Sequence, residues 1–379
     1  MRRLTCLLAS LALLAPALSE ATPQFARIYR VDCSSCHSAP PRLNARGLQF
    51  LANGYRFEAD GRWRAIPFAI WNTVDLEWRR TTDVAKGFPS RVEVISAGPV
   101  GRTRAAYFAE WRALSQSVGA GGRLLDRSGR FEDLFLRLPL GPGEAGSVTV
   151  GQFRTLTQVD VSQRLSVSEP LVLGSSVPGR AASYPRLTGL RAFSASGRQP
   201  GVRAEYQITT GRSRSDGWFA AATLPLTGEV TIPFTDASSF ELEGHPKGVF
   251  LEGFRRAGLT SWGGHAFVGD ARRRVVTALV TQQVSDRVVL AGGIGSFHAA
   301  GTRDTRFSMG GEATISSHVV GGIRVDHRTG PGRHPAVHFF GNVHLPFGPS
   351  GFRQAVRLQI EHRVQRANHG TTFALSHLF

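Results

Sequence analysis

From about Trp63 to Phe379 the chain repeats one pattern, runs of roughly ten residues in which apolar and polar side chains alternate, each closed by Gly, Pro, Asp, Ser or Arg clusters. A period of two belongs to a strand, because successive side chains leave a pleated backbone on opposite faces. RTRAAYFAEWRAL, GVRAEYQITTG, RVVLAGGIGSFH, TRFSMGGEATI, PAVHFFGNVHL and FRQAVRLQIEHRV are the clearest runs. In TRFSMGGEATI, Phe307, Met309, Ala313 and Ile315 fall on one face and Ser308, Glu312 and Thr314 on the other. In PAVHFFGNVHL, Val337, Phe339, Val343 and Leu345 oppose His338, Asn342 and His344.

A soluble sandwich alternates too, so the number of runs and the end of the chain decide. The runs recur at a spacing of roughly 19 residues, which predicts on the order of 16 to 18 strands, the range of a channel-sized outer-membrane barrel. About 17 candidates are visible, whereas bacterial barrels have an even number of strands. Leu156–Arg186 and Thr227–Lys247 are the ambiguous, turn-rich stretches. The last residues, TTFALSHLF, put Phe373, Leu375 and Phe379 on one face, like the closing strand of an outer-membrane protein. The expected fold is therefore all-β, an antiparallel outer-membrane barrel of about 16 strands over 63–379.

Residues 1–21 have the layout of a secretory signal peptide: Arg2 and Arg3, an apolar run from Leu4 to Ala17, and small residues at Ser19 and Ala21. The run is too short for a membrane helix, and no later segment supplies one, so a membrane role requires a barrel. Cleavage removes two positive charges and one negative from a formal +17 and leaves the chain basic. A nucleic-acid partner is excluded by export and by the lack of any reader motif. Lys86 and Lys247 are the only lysines. Arginine in such excess suits a polar lumen or contact with the phosphates of outer-membrane lipid and lipopolysaccharide.

With Cys6 in the leader, Cys33 and Cys36 are the cysteines of the mature chain, and both lie in CSSCH. This is a c-type haem attachment sequence: two cysteines one helical turn apart can each form a thioether to a haem vinyl group, with His37 beneath the iron as proximal ligand. A redox CxxC or half a zinc site are the competing readings, but the chain shows neither a second ligand pair nor an α/β pattern. Residues 22–62 are expected to form a small helical monohaem c-type cytochrome domain, too small to bury a haem alone. With no long linker before the first strand, the barrel lumen would supply the missing walls, making this domain a plug.

The run Pro23–Phe57 resembles the fused cytochrome-porin family of outer-membrane monohaem cytochromes, iron(II) oxidases of iron-oxidising bacteria. The matching residues are Pro23, Phe25, Ala26, Arg27, Cys33, Cys36, His37, Pro41, Leu43, Asn44, Gly47, Phe50, Asn53, Gly54 and Tyr55. GQFRTLTQVDVSQRLSVSEP, from Gly151, is loosely similar to a later segment of the family. The resemblance implies one covalent haem c, an extracellular electron donor with ferrous iron as the candidate, and a periplasmic c-type cytochrome as acceptor. It also implies termini on the periplasmic side and a candidate iron(II) oxidase activity.

The sixth haem ligand is restricted by composition. Met309 is the only methionine besides Met1, and its parity places it on the apolar face. His37 is the only histidine before His245, so a distal histidine must come from the second half of the barrel. Parity points His265, His338 and His344 to the lumen and His327, His362 and His377 to the apolar side. Three function classes remain: an outer-membrane electron carrier, a transport porin with a structural haem plug, and a soluble periplasmic cytochrome with an all-β domain.

Overall fold

The computed structural model describes residues 23–32, 35–39, 42–44, 46–47, 50, 55, 68–79, 82–84, 91–101, 103–118, 124–126, 128–140, 145–154, 198–210, 216–225, 248–269, 273–299, 302–316, 318–329, 333–347, 354–366 and 368–378. Residues 1–21, expected to form a signal peptide, Cys33, Leu156–Arg186 and Thr227–Lys247 lie outside them.

A helix, α1 (Pro23–Tyr29), opens the described chain, and a small ladder of β1 (His37–Ala39) and β2 (Arg42–Leu43) follows. The remaining strands close into one barrel. Its first half comprises β3 (Phe68–Arg79), β4 (Thr82–Val84), β5 (Arg91–Pro99), β6 (Ala106–Val118), β7 (Leu124–Asp126), β8 (Arg130–Leu140), β9 (Gly146–Arg154), β10 (Arg198–Thr210) and β11 (Asp216–Pro225). Its second comprises β12 (Gly248–Ala257), β13 (Thr260–Gly269), β14 (Arg273–Gln283), β15 (Val288–Ala299), β16 (Thr302–Ser316), β17 (Val319–Arg328), β18 (Ala336–Phe347), β19 (Gln354–Gln365) and β20 (Asn368–Leu378). The three-residue β4 and β7 extend hairpins whose main strands pair directly, β3 with β5 and β6 with β8, so sixteen strands complete the circumference. The count of about 17 is corrected to this even number.

Every pairing is antiparallel, and β20 closes the ring on β3, from Gly370 opposite Arg79 to Leu378 opposite Trp71. Closure gives every strand two neighbours and removes the sheet edge. Sixteen strands of nine to fifteen residues are long enough to cross a hydrocarbon layer when tilted. Arg154 and Arg198, and likewise Pro225 and Gly248, stand at the end opposite that where β20 finishes, because β9 and β11 run away from it. At the other end, hairpins such as Gly258–Leu259 between β12 and β13 are tight.

Parity separates two surfaces. The outer face exposes Leu136, Trp218, Leu224, Val276, Met309 and Phe339 among many apolar side chains. The inner face buries Glu93, Glu132, Arg203, Glu252, Asp304, Arg306, Arg324 and Asp326. Such an inside-out distribution is destabilising in water and favourable in lipid. Phe340 is an inner-face exception made possible by glycine: a Cβ on Gly322 would meet its ring at 2.3 Å.

Candidate functional site

The N-terminal segment is held by local bonds before it meets the barrel. Arg30 has a left-handed backbone (φ 52°) and ends α1, with the Val31 amide donating to the Ala26 carbonyl at 3.3 Å. Asn44 then fixes the turn of the CSSCH motif. Its backbone amide donates to the Cys36 carbonyl at 2.8 Å, its Nδ2 donates to the Ser35 carbonyl at 3.3 Å, and its Oδ1 accepts from the Gly47 amide at 2.9 Å. After Ser35 and Cys36 the chain does not continue as a helix. His37 starts β1. The expected helical character is thus limited, among complete described elements, to α1.

The segment packs on the inner wall. Phe50 and Tyr55 form one buried cluster with Ala97 of β5 and Ala106 of β6, and Phe25, Tyr29 and Phe108 pack against it. The fully buried Gln24 donates through Nε2 to the Ala97 carbonyl at 3.4 Å. Tyr55 holds a left-handed backbone (φ 66°) that a non-glycine residue adopts only at a cost. The Tyr29 hydroxyl, donating to the Tyr55 carbonyl at 2.9 Å, and the stack of Phe25 on Tyr55, with ring centroids 5.3 Å apart, secure it. From Tyr55 the rings of Phe108, Phe135 and Phe153 continue around the wall with centroid spacings of 6.2, 5.4 and 6.1 Å.

On the motif itself, burial pushes the Cys36 thiol up while the nearby Arg46 charge pulls the other way. A raised thiol differs from the depressed one of a thiol-oxidoreductase CxxC. His37 and His344, from opposite ends of the sequence, lie close enough for their charges to interact, and Arg357 and His318 share that corner. His344 is buried on the inner face near the end of β18, and its backbone amide donates to the His318 carbonyl at 2.7 Å.

The other lumen histidines are placed differently. His338 is clamped between carboxylates, Nδ1 to Glu361 Oε1 at 2.6 Å and Nε2 to Asp326 Oδ2 at 3.2 Å. Arg324 meets the same two acids, and Ser308 donates to Asp326 at 2.6 Å. His265 lies against the Thr277 hydroxyl, 2.6 Å from Nδ1 and 3.1 Å from Nε2. His327 faces outward beside Phe307, and His362 and His377 share the outward parity of Ile360 and Leu375. Met309, 69% exposed, is also on the outside.

The described residues meet the chemistry of a haem c. They offer a thiol and the histidine of the attachment motif, a wall histidine, His344, near enough for its charge to interact with that of His37, an aromatic cluster on the same segment, and the arginines Arg46 and Arg357 beside Cys36 and His344.

A second cluster lies further into the lumen. Glu93, Glu110 and Glu132 on β5, β6 and β8 bring carboxylate oxygens within 4.8 Å of one another. Arg112 pairs with Glu132 and stands 3.9 Å from Glu93, and Arg91 is 3.3 Å from Glu93. As it stands the cluster is an ion-paired wall whose oxygen donors are of the type that binds hard cations. Sequence reasoning could not choose these acids among many lumen carboxylates. The usable signal was parity combined with register, which sets Glu93 opposite Arg112.

No protein-family model matches the chain, and no curated protein matches it significantly in sequence. Some solved structures are similar to it at low sequence identity. The outer membrane channel DcaP of Acinetobacter baumannii is 11% identical, with a TM-score of 0.45 over 82% of this chain and 97% of that one. Salmonella typhi OmpF, in a complex with daunomycin, is 9% identical, with a TM-score of 0.49 over 82% and 97%. An anion-selective porin from Comamonas acidovorans is 13% identical, with a TM-score of 0.46 over 82% and 98%.

Proposed function

We propose that the chain is an outer-membrane monohaem c-type cytochrome whose barrel encloses the haem-bearing segment and carries single electrons from an extracellular donor, with ferrous iron the candidate, to a periplasmic c-type cytochrome. The observation that carries this reading is that the segment bearing CSSCH packs on the inner wall, Phe50 and Tyr55 forming one buried cluster with Ala97 and Ala106. The apolar outer face supports a lipid environment and disfavours the soluble alternative. The end of the barrel with tight hairpins, where β20 finishes, is assigned to the periplasm and the end with long connections to the outside.

A haem joined through Cys33 and Cys36 would supply reversible one-electron chemistry. The chain's own residues do the rest. Asn44 holds the attachment turn, His37 offers the proximal imidazole, and the Phe25, Phe50 and Tyr55 cluster excludes water on one side. Packing of Phe50 and Tyr55 against Ala97 and Ala106 of the wall supports a position inside the lumen, and the hydrocarbon layer is about 30 Å thick, so that a haem confined to the periplasm could not reach an outside donor.

The test has two parts. Peptide mass spectrometry of the protein matured with the cytochrome c assembly machinery should find haem on the fragment containing Cys33 and Cys36. Stopped-flow spectroscopy of the membrane-embedded protein should then show haem reduction by ferrous iron at a rate that saturates. Absence of the adduct refutes the reading.

A second reading, a solute channel in which the haem segment is structural, is favoured by the lumen's charged lining, where Arg137, Arg203 and Arg324 are ion-paired with Glu205, Glu252 and Asp326. Large open-pore currents in a planar bilayer, with no haem oxidation by periplasmic partners, would establish it instead.

A further inference from the structure

We propose that His344 is the sixth ligand, so that the haem carried by Cys33, Cys36 and His37 joins the N-terminal segment to the barrel wall through an axial pair of imidazoles. This rests on the haem reading above and adds to it the identity of the opposite ligand.

Four observations converge on this residue. His344 follows His338, Phe340 and Asn342 on the buried inner face of β18. The register His344 to Arg357 and the bond from the His344 amide to the His318 carbonyl place it near the barrel end where β17 begins and β18 finishes. That is also the end where β5 finishes and β6 begins, against which α1, Phe50 and Tyr55 pack. His37 lies near enough to His344 for their charges to interact, although 307 positions separate them in sequence.

The competing donors are engaged elsewhere. Both ring nitrogens of His338 lie within reach of carboxylates, so turning one to a metal would leave Glu361 or Asp326 without that contact inside the wall. The Thr277 hydroxyl, 2.6 Å from Nδ1 of His265, holds that ring against β14. Met309 faces outward on β16. His318 shares the His344 corner but is exposed in a hairpin, which makes it the natural control.

The consequence is mechanical as well as electronic. An axial bond to the wall would fasten a segment otherwise held by one helix, a few rings and a handful of hydrogen bonds. It would also give a low-spin centre, which changes geometry little between oxidation states and suits electron transfer over oxygen chemistry.

The experiment uses the full haem-loaded protein in detergent or lipid. Pyridine haemochrome absorbance and a haem stain on a denaturing gel first establish that one haem is covalently attached. Near-infrared magnetic circular dichroism and electron paramagnetic resonance of the ferric wild type should give the signature of two imidazoles. H344A should lose most of the low-spin signal and gain a high-spin one, and added imidazole should restore it. H344M, which keeps a donor atom if removal of the ring impairs assembly, should move the near-infrared band to its histidine–methionine position and raise the reduction potential. H318A should change neither.

If the haem is attached but H344A and H344M keep the wild-type spectrum, or the wild type is already high-spin, His344 is not the ligand and the electron-carrier reading stands without it. If no covalent haem is found in the wild type, that underlying reading fails first.

Discussion

Removing Arg112 should destabilise the barrel more than any exposed substitution can. Arg112 is 8% exposed and stands between Glu93 and Glu132, while Glu110 completes a set of carboxylates whose oxygens lie within 4.8 Å of one another. At that separation, with an effective dielectric constant near 20, each like-charge pair repels by about 3.5 kcal/mol. In R112M the charge of Arg91, at 3.3 Å from Glu93, still offsets part of this repulsion. Breaking a buried ion pair from one side typically costs about 3–5 kcal/mol, and that is the loss expected here.

The assay is urea unfolding of the vesicle-embedded protein, followed by tryptophan fluorescence and by the electrophoretic mobility of the folded barrel. R112M with E132Q should recover part of the loss, since the second change removes one of the crowded charges. Millimolar Ca2+, a hard cation for the vacated oxygen donors, should raise the R112M midpoint and leave the wild type unchanged. A loss under about 1 kcal/mol for R112M would refute the reasoning, because it would mean the acids are not held in repulsive proximity. Strict additivity in the double variant would refute it as well.

Three further outcomes are expected. G322A should lower barrel stability by about 1–3 kcal/mol in the same assay, since its methyl would meet the Phe340 ring at 2.3 Å; G253A, with nothing within 4 Å, should not. Y29F removes the bond to the Tyr55 carbonyl and should cost about 1 kcal/mol locally, read as faster protease cleavage near residue 55 with the barrel's own unfolding unchanged. Because burial raises its thiol, Cys36 in protein made without haem attachment should alkylate more slowly than a free cysteine at pH 8, the difference narrowing as pH rises and the thiolate fraction grows. Faster alkylation than the free thiol would contradict the described burial.

Much of the barrel was legible because a strand reports its environment twice, by period and by parity. Ser308 and Glu312 against Phe307 and Met309 told which face meets lipid without any knowledge of the neighbouring strands. The same rule put His265, His338 and His344 inside and His327, His362 and His377 outside. Strand number was harder, since β4 and β7 continue hairpins already counted, and no local pattern says whether a run adds to the circumference.

The site was legible only in part. CSSCH announces itself, but the partner of His37 depends on how far apart two walls of a closed ring stand, and that follows from strand number and register rather than from any short sequence. Parity left three equal histidines. The carboxylates around His338 and the hydroxyl beside His265 are contributed by neighbouring strands, so parity could not announce them.

The central claim is that electrons cross the barrel through one haem. Vesicles carrying the haem-loaded protein, with an oxidised soluble c-type cytochrome trapped inside and ferrous iron supplied outside, test it directly. Reduction of the trapped cytochrome by the wild type, abolished in a folded C33S/C36S variant, is the expected result. Equal reduction by both would mean that iron itself passes through an open channel, and no reduction by a protein that holds its haem would mean that the barrel does not conduct electrons at all.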